Sequence, residues 1–156
     1  MAHKESVQND DIRQWLSGER FIWTNSERVG YGYRNRLEDV MLVQFLVNGA
    51  FRAGKKIYNW HSKNVPAELV IDGKFGGKTW KAIKMWQEMM INVVVDGMIS
   101  PSDGTKALTP RQGQIYTILT LNVYYRDGFP VYYQDISSDP TMRPELAVHL
   151  MKLGAW

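Results

Sequence analysis

The stretch LVIDGKFGGKTWKAIKMWQ, Leu69 to Gln87, is followed by VVVDGMISP, Val93 to Pro101, so the chain twice writes a β-branched run, Asp-Gly, one residue and a large hydrophobe. This repeat constrains the fold more than any other feature. The Asp carboxylate accepts backbone N–H groups just ahead of it, and glycine takes the positive φ that a side chain disfavours. The hydrophobe that follows, Phe75 or Ile99, drops into the core and anchors the corner. Each copy then delivers the chain into a helix at a fixed angle, through Gly76-Gly77-Lys78-Thr79 in the first case and Ser100 to Thr105 in the second.

Helices are expected on either side of these corners. Asn35 is placed to cap NRLEDVMLVQFLVNGAF, Glu38 and Asp39 suit the positive end of its dipole, and Asn48-Gly49 reads as its stop. Beyond Asn35 and Arg36 at its start, Gln44 and Asn48 are its only non-acidic polar residues, so this helix is expected to be buried on more than one side. Residues 50–68 read as a connector whose Ile57, Tyr58 and Trp60 tuck back onto the core. Thr79 to Met90 forms the next helix, with Ala82, Ile83, Trp86, Met89 and Met90 on one arc, and DGTKAL supplies a short third one.

Outside this region, Val7, Ile12, Trp15 and Leu16 fall at helical spacing and Gly18 ends the run. Phe21 and Trp23 alternate, as do Val29, Tyr31 and Tyr33, which predicts a small β-hairpin. Gln112 to Tyr125 carries Ile115, Ile118, Leu119 and Val123 on one helical face, Pro130 and Pro140 bracket an extended stretch, and Pro144 opens a closing helix.

The bulk properties exclude several function classes. At 156 residues the chain is long enough for one domain with a proper core. Having no cysteine, it has no disulfide, thiolate nucleophile or sulfur-based zinc site, which leaves the compartment open. Lys and Arg number 19 against 16 Asp and Glu, and the net charge is +1 over residues 1–37, +2 over 38–108 and zero over 109–156. With no clustered basic stripe, nucleic acid is not the expected partner. MAHKESVQNDD carries charge where an export signal needs an apolar run, and no apolar run is long enough for a membrane span.

VIDGKFGGKTWKAIKMWQ, then VVVDGMISP, then TKAL, resembles the peptidoglycan-binding-like domain family, and DVMLVQFLVN is similar to that family's first helix, with Val40, Val43, Gln44, Val47 and Asn48 at the matching steps. The resemblance covers about residues 38–108. It implies a mainly α fold: a compact three-helix core at 38–108, with 1–37 and 109–156 as extensions packed on it within one domain. It also implies a non-catalytic binding module, bacterial or phage in type, whose ligand is cell-wall peptidoglycan. Ligand contacts would come from Asp72, Gly73, Lys78, Thr79, Trp80, Asp96 and Gly97. Val40, Val43, Gln44, Val47, Phe75, Ala82, Ile83, Trp86, Gln87 and Ile99 would form the structural core. The competing expectation is a protein-interaction accessory of phage or secretion-system type that keeps the scaffold without glycan binding.

The residues themselves weigh against other chemistry. Taking Gly97 as position six of a calcium loop puts Asn92 at one, Val94 at three, Asp96 at five and Asp103 at twelve, and valine cannot ligate; the first copy has Val70 there. No metal and no cofactor is therefore expected. Gln44 and Gln87 are more simply internal partners for loop backbone than ligand-facing amides. Trp80 has a stacking role or a packing role, and Lys74, Lys78, Lys81 and Lys84 form either a solvated face, with Lys84 paired to Glu88, or an anion contact. His3, His61 and His149 are scattered and no nucleophile elbow or phosphate loop is present. A cell-wall hydrolase would need a carboxylate pair built on Glu19, Glu27 or Glu38, and nothing in the sequence selects one.

Overall fold

The computed structural model describes residues 2–110 and 113–152. Its elements are β1 (His3–Ser6), α1 (Asp10–Trp15), β2 (Phe21–Thr24), α2 (Leu37–Tyr58), α3 (Gly77–Met89), α4 (Thr117–Gly128), α5 (Pro130–Gln134) and α6 (Pro144–Lys152), with 3-10 turns at Ser62–Asn64 and Ile136–Ser138. The protein is thus mainly helical with one two-stranded antiparallel sheet.

The apolar helix anticipated after Asn35 is the central strut. Nearly every residue of α2 from Asp39 to Phe51 is buried, and the helix packs against α3, α4, α6 and β2. It runs a further two turns and more past its expected stop because both residues of that stop have tertiary roles. Asn48 donates Nδ2 to the Leu69 carbonyl (2.9 Å) and accepts the Leu69 N–H at Oδ1 (2.7 Å). Gly49 lets the Tyr125 ring lie against the helix, since a Cβ there would come within 2.6 Å of Tyr125 Cδ1. The real end is Asn59, in the left-handed region at φ 54°. At the other end Arg36, not Asn35, holds the N-cap position; Asn35 has φ 53° and uses its amide on the loop before it.

Three further expectations are corrected. The hairpin partner of β2 is not the Val29–Tyr33 run but β1, in the register His3 with Thr24 through Ser6 with Phe21. Gly30 and Gly32 break up the expected second strand, of which only Val29 pairs, in an isolated bridge to Ile99. DGTKAL is not helical. Asp103 Oδ1 accepts from the backbone and hydroxyl of Thr105 (3.0 and 2.6 Å), and the Gly104 carbonyl accepts the N–H groups of Gln8 and Asn9 (3.0 and 3.2 Å). This inserted turn is a strap docked on the N-terminal segment, so its backbone groups are satisfied without a helix. Between Pro130 and Pro140 the chain forms α5 and a 3-10 turn instead of an extended run, because Pro130 sits at the start of a helix where its missing N–H costs nothing.

One continuous core joins these parts. It includes Ile12, Ile22 and Trp23 from the N-terminal segment, Leu42, Leu46, Ile83, Trp86 and Ile99 from the middle, and Ile118, Leu121, Tyr133 and Leu146 from the C-terminal segment. Asn122 on α4 pins β2 by accepting the Trp23 N–H (2.8 Å) and donating to the Trp23 carbonyl (2.9 Å).

Candidate functional site

Both Asp-Gly corners are held by the same device, a buried glutamine on the preceding helix. At the first corner, Gln44 of α2 accepts the Gly73 N–H at Oε1 (3.0 Å). Its Nε2 faces Asp72 Oδ1 (3.1 Å), the Lys74 carbonyl (3.1 Å) and Thr79 Oγ1 (3.2 Å). At the second, Gln87 of α3 accepts the N–H groups of Asp96 and Gly97 (3.1 and 2.8 Å). Its Nε2 faces Asp96 Oδ1 (3.0 Å), the Met98 carbonyl (3.0 Å) and Thr117 Oγ1 (3.1 Å). Donors meet the oxygen and acceptors meet the nitrogen in each copy, which fixes the orientation of both amides.

The asparagine-like turn inside each corner is also repeated. Asp72 Oδ1 accepts the Lys74 N–H (2.9 Å), and Asp96 Oδ1 accepts the Met98 N–H (3.0 Å). The Lys74 N–H, followed by the Gln44 amide, holds the Asp72 carboxyl below the usual range, because both stabilise its charged form. Thr79 opens α3 and Thr117 opens α4, so each clamp ties a helix, the corner after it and the first turn of the next helix. The sequence points to Thr105 for this second role. The structure assigns it to Thr117, the residue after the Ile115-Tyr116 pair, because the strap at 101–108 inserts between corner and helix.

An open groove of about 700 Å3 lies against the first corner. One wall is the corner itself with the start of α3, including Asp72, Lys74, Lys78 and Thr79; the other is the connector from Lys63 to Val70. Ala82 and Met85 of α3, with Leu69 and Phe75, supply apolar surface. Four lysines, Lys63, Lys74, Lys78 and Lys81, surround it. Of its two carboxylates, Glu68 is engaged by Arg52 (2.6 Å) and Asp72 by the clamp. No side chain caps α3, and its first-turn N–H groups, which a helix leaves without internal partners, lie at the groove edge with Gly77, Lys78 and Thr79.

The predicted contact residues thus divide. Asp72, Gly73, Lys78 and Thr79 come together at the first corner; of these, Gly73 and Thr79 are buried while Asp72 and Lys78 are exposed. Asp96 and Gly97 belong to the second corner, which Trp80 also faces: its Nε1 would lie 2.3 Å from a Cβ placed on Gly97. Tyr31 of the N-terminal segment covers this side, edge-on to Phe75 (5.1 Å) and tilted on Trp80 (6.0 Å). Lys84 lies 4.8 Å over the Trp80 ring instead of pairing along the helix with Glu88. The core residues Val40, Val43, Gln44, Val47, Ala82, Ile83, Trp86, Gln87 and Ile99 are buried, and Phe75 is half-buried under Tyr31.

Of the three glutamates considered for catalysis, Glu19 meets Arg126 (3.3 Å), Glu27 meets Arg36, and Glu38 lies 3.7 Å from the His149 ring. Among the described residues no group of three or more His, Cys, Asp or Glu side chains is arranged to hold a metal ion, and no helix is long and apolar enough to cross a membrane. No family model matches the chain, and no curated protein and no solved structure matches it.

Proposed function

We propose that this protein is a non-catalytic binding module for bacterial cell-wall peptidoglycan, with the peptide part of that polymer seated in the groove beside the first corner. The observation that carries the reading is the division of labour at that corner. Gln44 and Thr79 are spent on folding, while Lys63, Lys74, Lys78 and Lys81 surround an open groove with an apolar floor. Wall peptides carry carboxylates and amides, which cations and first-turn helix N–H groups address together. The Asp-Gly corners that Gln44 and Gln87 hold after α2 and α3 support the same reading, while the third helix of the resemblance, expected at DGTKAL, is replaced by a turn and the next helix opens only at Thr117.

Co-sedimentation with purified sacculi tests this. The wild-type protein is retained, retention falls as salt is raised, and the K78E/K81E double variant loses affinity by about tenfold or more, because two attractive contacts become repulsive. Undiminished retention of that variant would remove the groove from the reading.

A second reading, a protein-interaction accessory that has kept the scaffold, is favoured by one observation: the N-terminal segment packs Tyr31 over Phe75 and Trp80. A complete absence of sacculus binding by the wild-type protein would select it.

A further inference from the structure

The repeat relates the corners residue by residue, Asp72 to Asp96, Lys74 to Met98, Lys78 to Tyr116 and Thr79 to Thr117. Asp96, Met98 and Tyr116 line a second groove, of about 980 Å3, at the corresponding place. Its opposite wall is not the connector but the N-terminal segment, residues 26–34.

That wall is fixed before any ligand arrives. The buried Asp39 carboxylate accepts the N–H groups of Ser26 (3.0 Å) and Glu27 (3.1 Å). Val29 and Ile99 exchange both backbone hydrogen bonds (3.0 and 2.8 Å). Asn35 accepts the Gly30 N–H (2.8 Å) and donates to the carbonyls of Gly30 (2.9 Å) and Tyr33 (3.0 Å). A loop held at three points presents its side chains with little ordering left to do on binding.

The side chains it presents are Arg28, Tyr33 and Arg34, all exposed. The Arg28 guanidinium lies 5.6 Å from the centre of the Tyr33 ring. Glu27, the acidic neighbour on the same wall, is neutralised by Arg36, whose hydrogen bond holds its carboxyl below the usual range. The ion pair of Glu27 is with Arg36, and Arg34 acts on it only at a distance, so neither groove arginine is in contact with that carboxylate. Across the groove, Asp96 has Oδ1 committed to Gln87 and the Met98 N–H, which leaves Oδ2 to accept.

We propose that this second groove binds an acidic peptide segment. Arg28 and Arg34 grip a carboxylate with their planar forks, Tyr33 and Tyr116 flank the chain, and the outer oxygen of Asp96 accepts a peptide N–H. The arrangement selects a peptide carboxylate over a phosphate. A phosphate brings up to two negative charges towards Asp96 and few donors for it, whereas a peptide brings one charge per acidic group and an N–H at nearly every residue. This inference does not rest on the wall-binding reading, which concerns the other groove.

Fluorescence anisotropy with fluorescein-labelled Gly-Glu-Gly-Glu-Gly and the full chain tests it. The expected result is saturable binding that weakens with salt. The R28A/R34A variant, altered only at exposed positions and checked for an unchanged circular-dichroism melt, binds at least about tenfold more weakly. The R28K/R34K variant, which keeps charge but loses the fork, falls between the two. Unlabelled Gly-Gln-Gly-Gln-Gly does not compete, and inorganic phosphate competes less well than the unlabelled acidic peptide. Absence of saturable binding to the wild-type protein, equal binding by a folded R28A/R34A variant, or phosphate displacing the probe more readily than the unlabelled acidic peptide would each overturn the proposal. The sacculus assay of K78E/K81E reads the first groove alone, so either reading can fail without the other.

Discussion

The first and second Asp-Gly corners share a hydrogen-bond clamp and differ in almost everything that faces solvent. Gln44 reaches forward over a long helix and connector to Asp72, while Gln87 reaches only to the next loop at Asp96, yet the two amides meet equivalent partners. The first corner turns Lys74 and Lys78 to a groove walled by the connector; the second turns Met98 and Tyr116 to one walled by the N-terminal segment. Equal clamps under unequal surfaces mean that the Asp-Gly repeat specifies the backbone and leaves ligand chemistry to the residues around it.

Truncating the clamps gives the largest expected effect. Gln87→Ala strands the Asp96 and Gly97 N–H groups and the Met98 carbonyl, and costs about 3 kcal/mol of unfolding free energy in a urea titration. Gln44→Ala strands one N–H and one carbonyl, those of Gly73 and Lys74, and costs about 2 kcal/mol. A loss well under about 1 kcal/mol in either variant would show that the corners hold themselves without the glutamine.

The corner glycines sharpen the contrast at smaller cost. Gly73 and Gly97 have nearly the same backbone, φ 73° and 72°, so the left-handed penalty for alanine is shared. A Cβ at Gly97 meets the Trp80 ring at 2.3 Å, whereas at Gly73 the nearest atom, at 2.2 Å, is the end of the exposed Leu37 side chain. Gly97→Ala should therefore lower stability by about 2 kcal/mol and Gly73→Ala by about 1 kcal/mol in thermal or chemical unfolding. The reverse order would mean that Trp80 yields more easily than Leu37.

The smallest effect is acidic. Asp72 has a folded-state pKa below its unfolded value, so its charge contributes stability that is fully present above the unfolded carboxylate pKa of about 3.9 and is lost as pH falls through the folded value. Unfolding titrations between about pH 5 and pH 2 should show a shallower decline for Asp72→Asn than for the wild type. Parallel curves would mean that folding does not lower the pKa of this carboxyl.

Local grammar was legible because short-range physics writes it. Asp-Gly followed by a hydrophobe encodes its own turn, and the runs from Val40 and from Thr79 encode apolar helix faces, so corners, helices and buried glutamines could be read from neighbouring residues. What could not be read depends on distant partners. Asn48-Gly49 has the composition of a helix end, and only Leu69 and Tyr125, brought from elsewhere, explain why the helix continues. Phe21 to Thr24 reads as a strand, but its partner is His3 to Ser6 instead of the nearer aromatic run. Arg28 and Arg34 look like ordinary surface charges until Asp39 and Asn35 fix their loop against the second corner. The helix read over Gln112 to Tyr125 starts at Thr117, with Gln112 outside the described residues, and what neighbouring residues could not show is that its Thr117, not Thr105, closes the second clamp.

The position of α4 has a practical consequence for anyone wishing to transplant this scaffold. Thr117 closes the second clamp, Thr120 receives the Trp86 indole N–H at 2.9 Å, and Asn122 holds Trp23. A fragment excised at residues 38–108 would be missing a keystone on one side and its abutment on the other. The smallest portable unit has to begin ahead of Trp23 and extend beyond Tyr125, whose ring fits against Gly49.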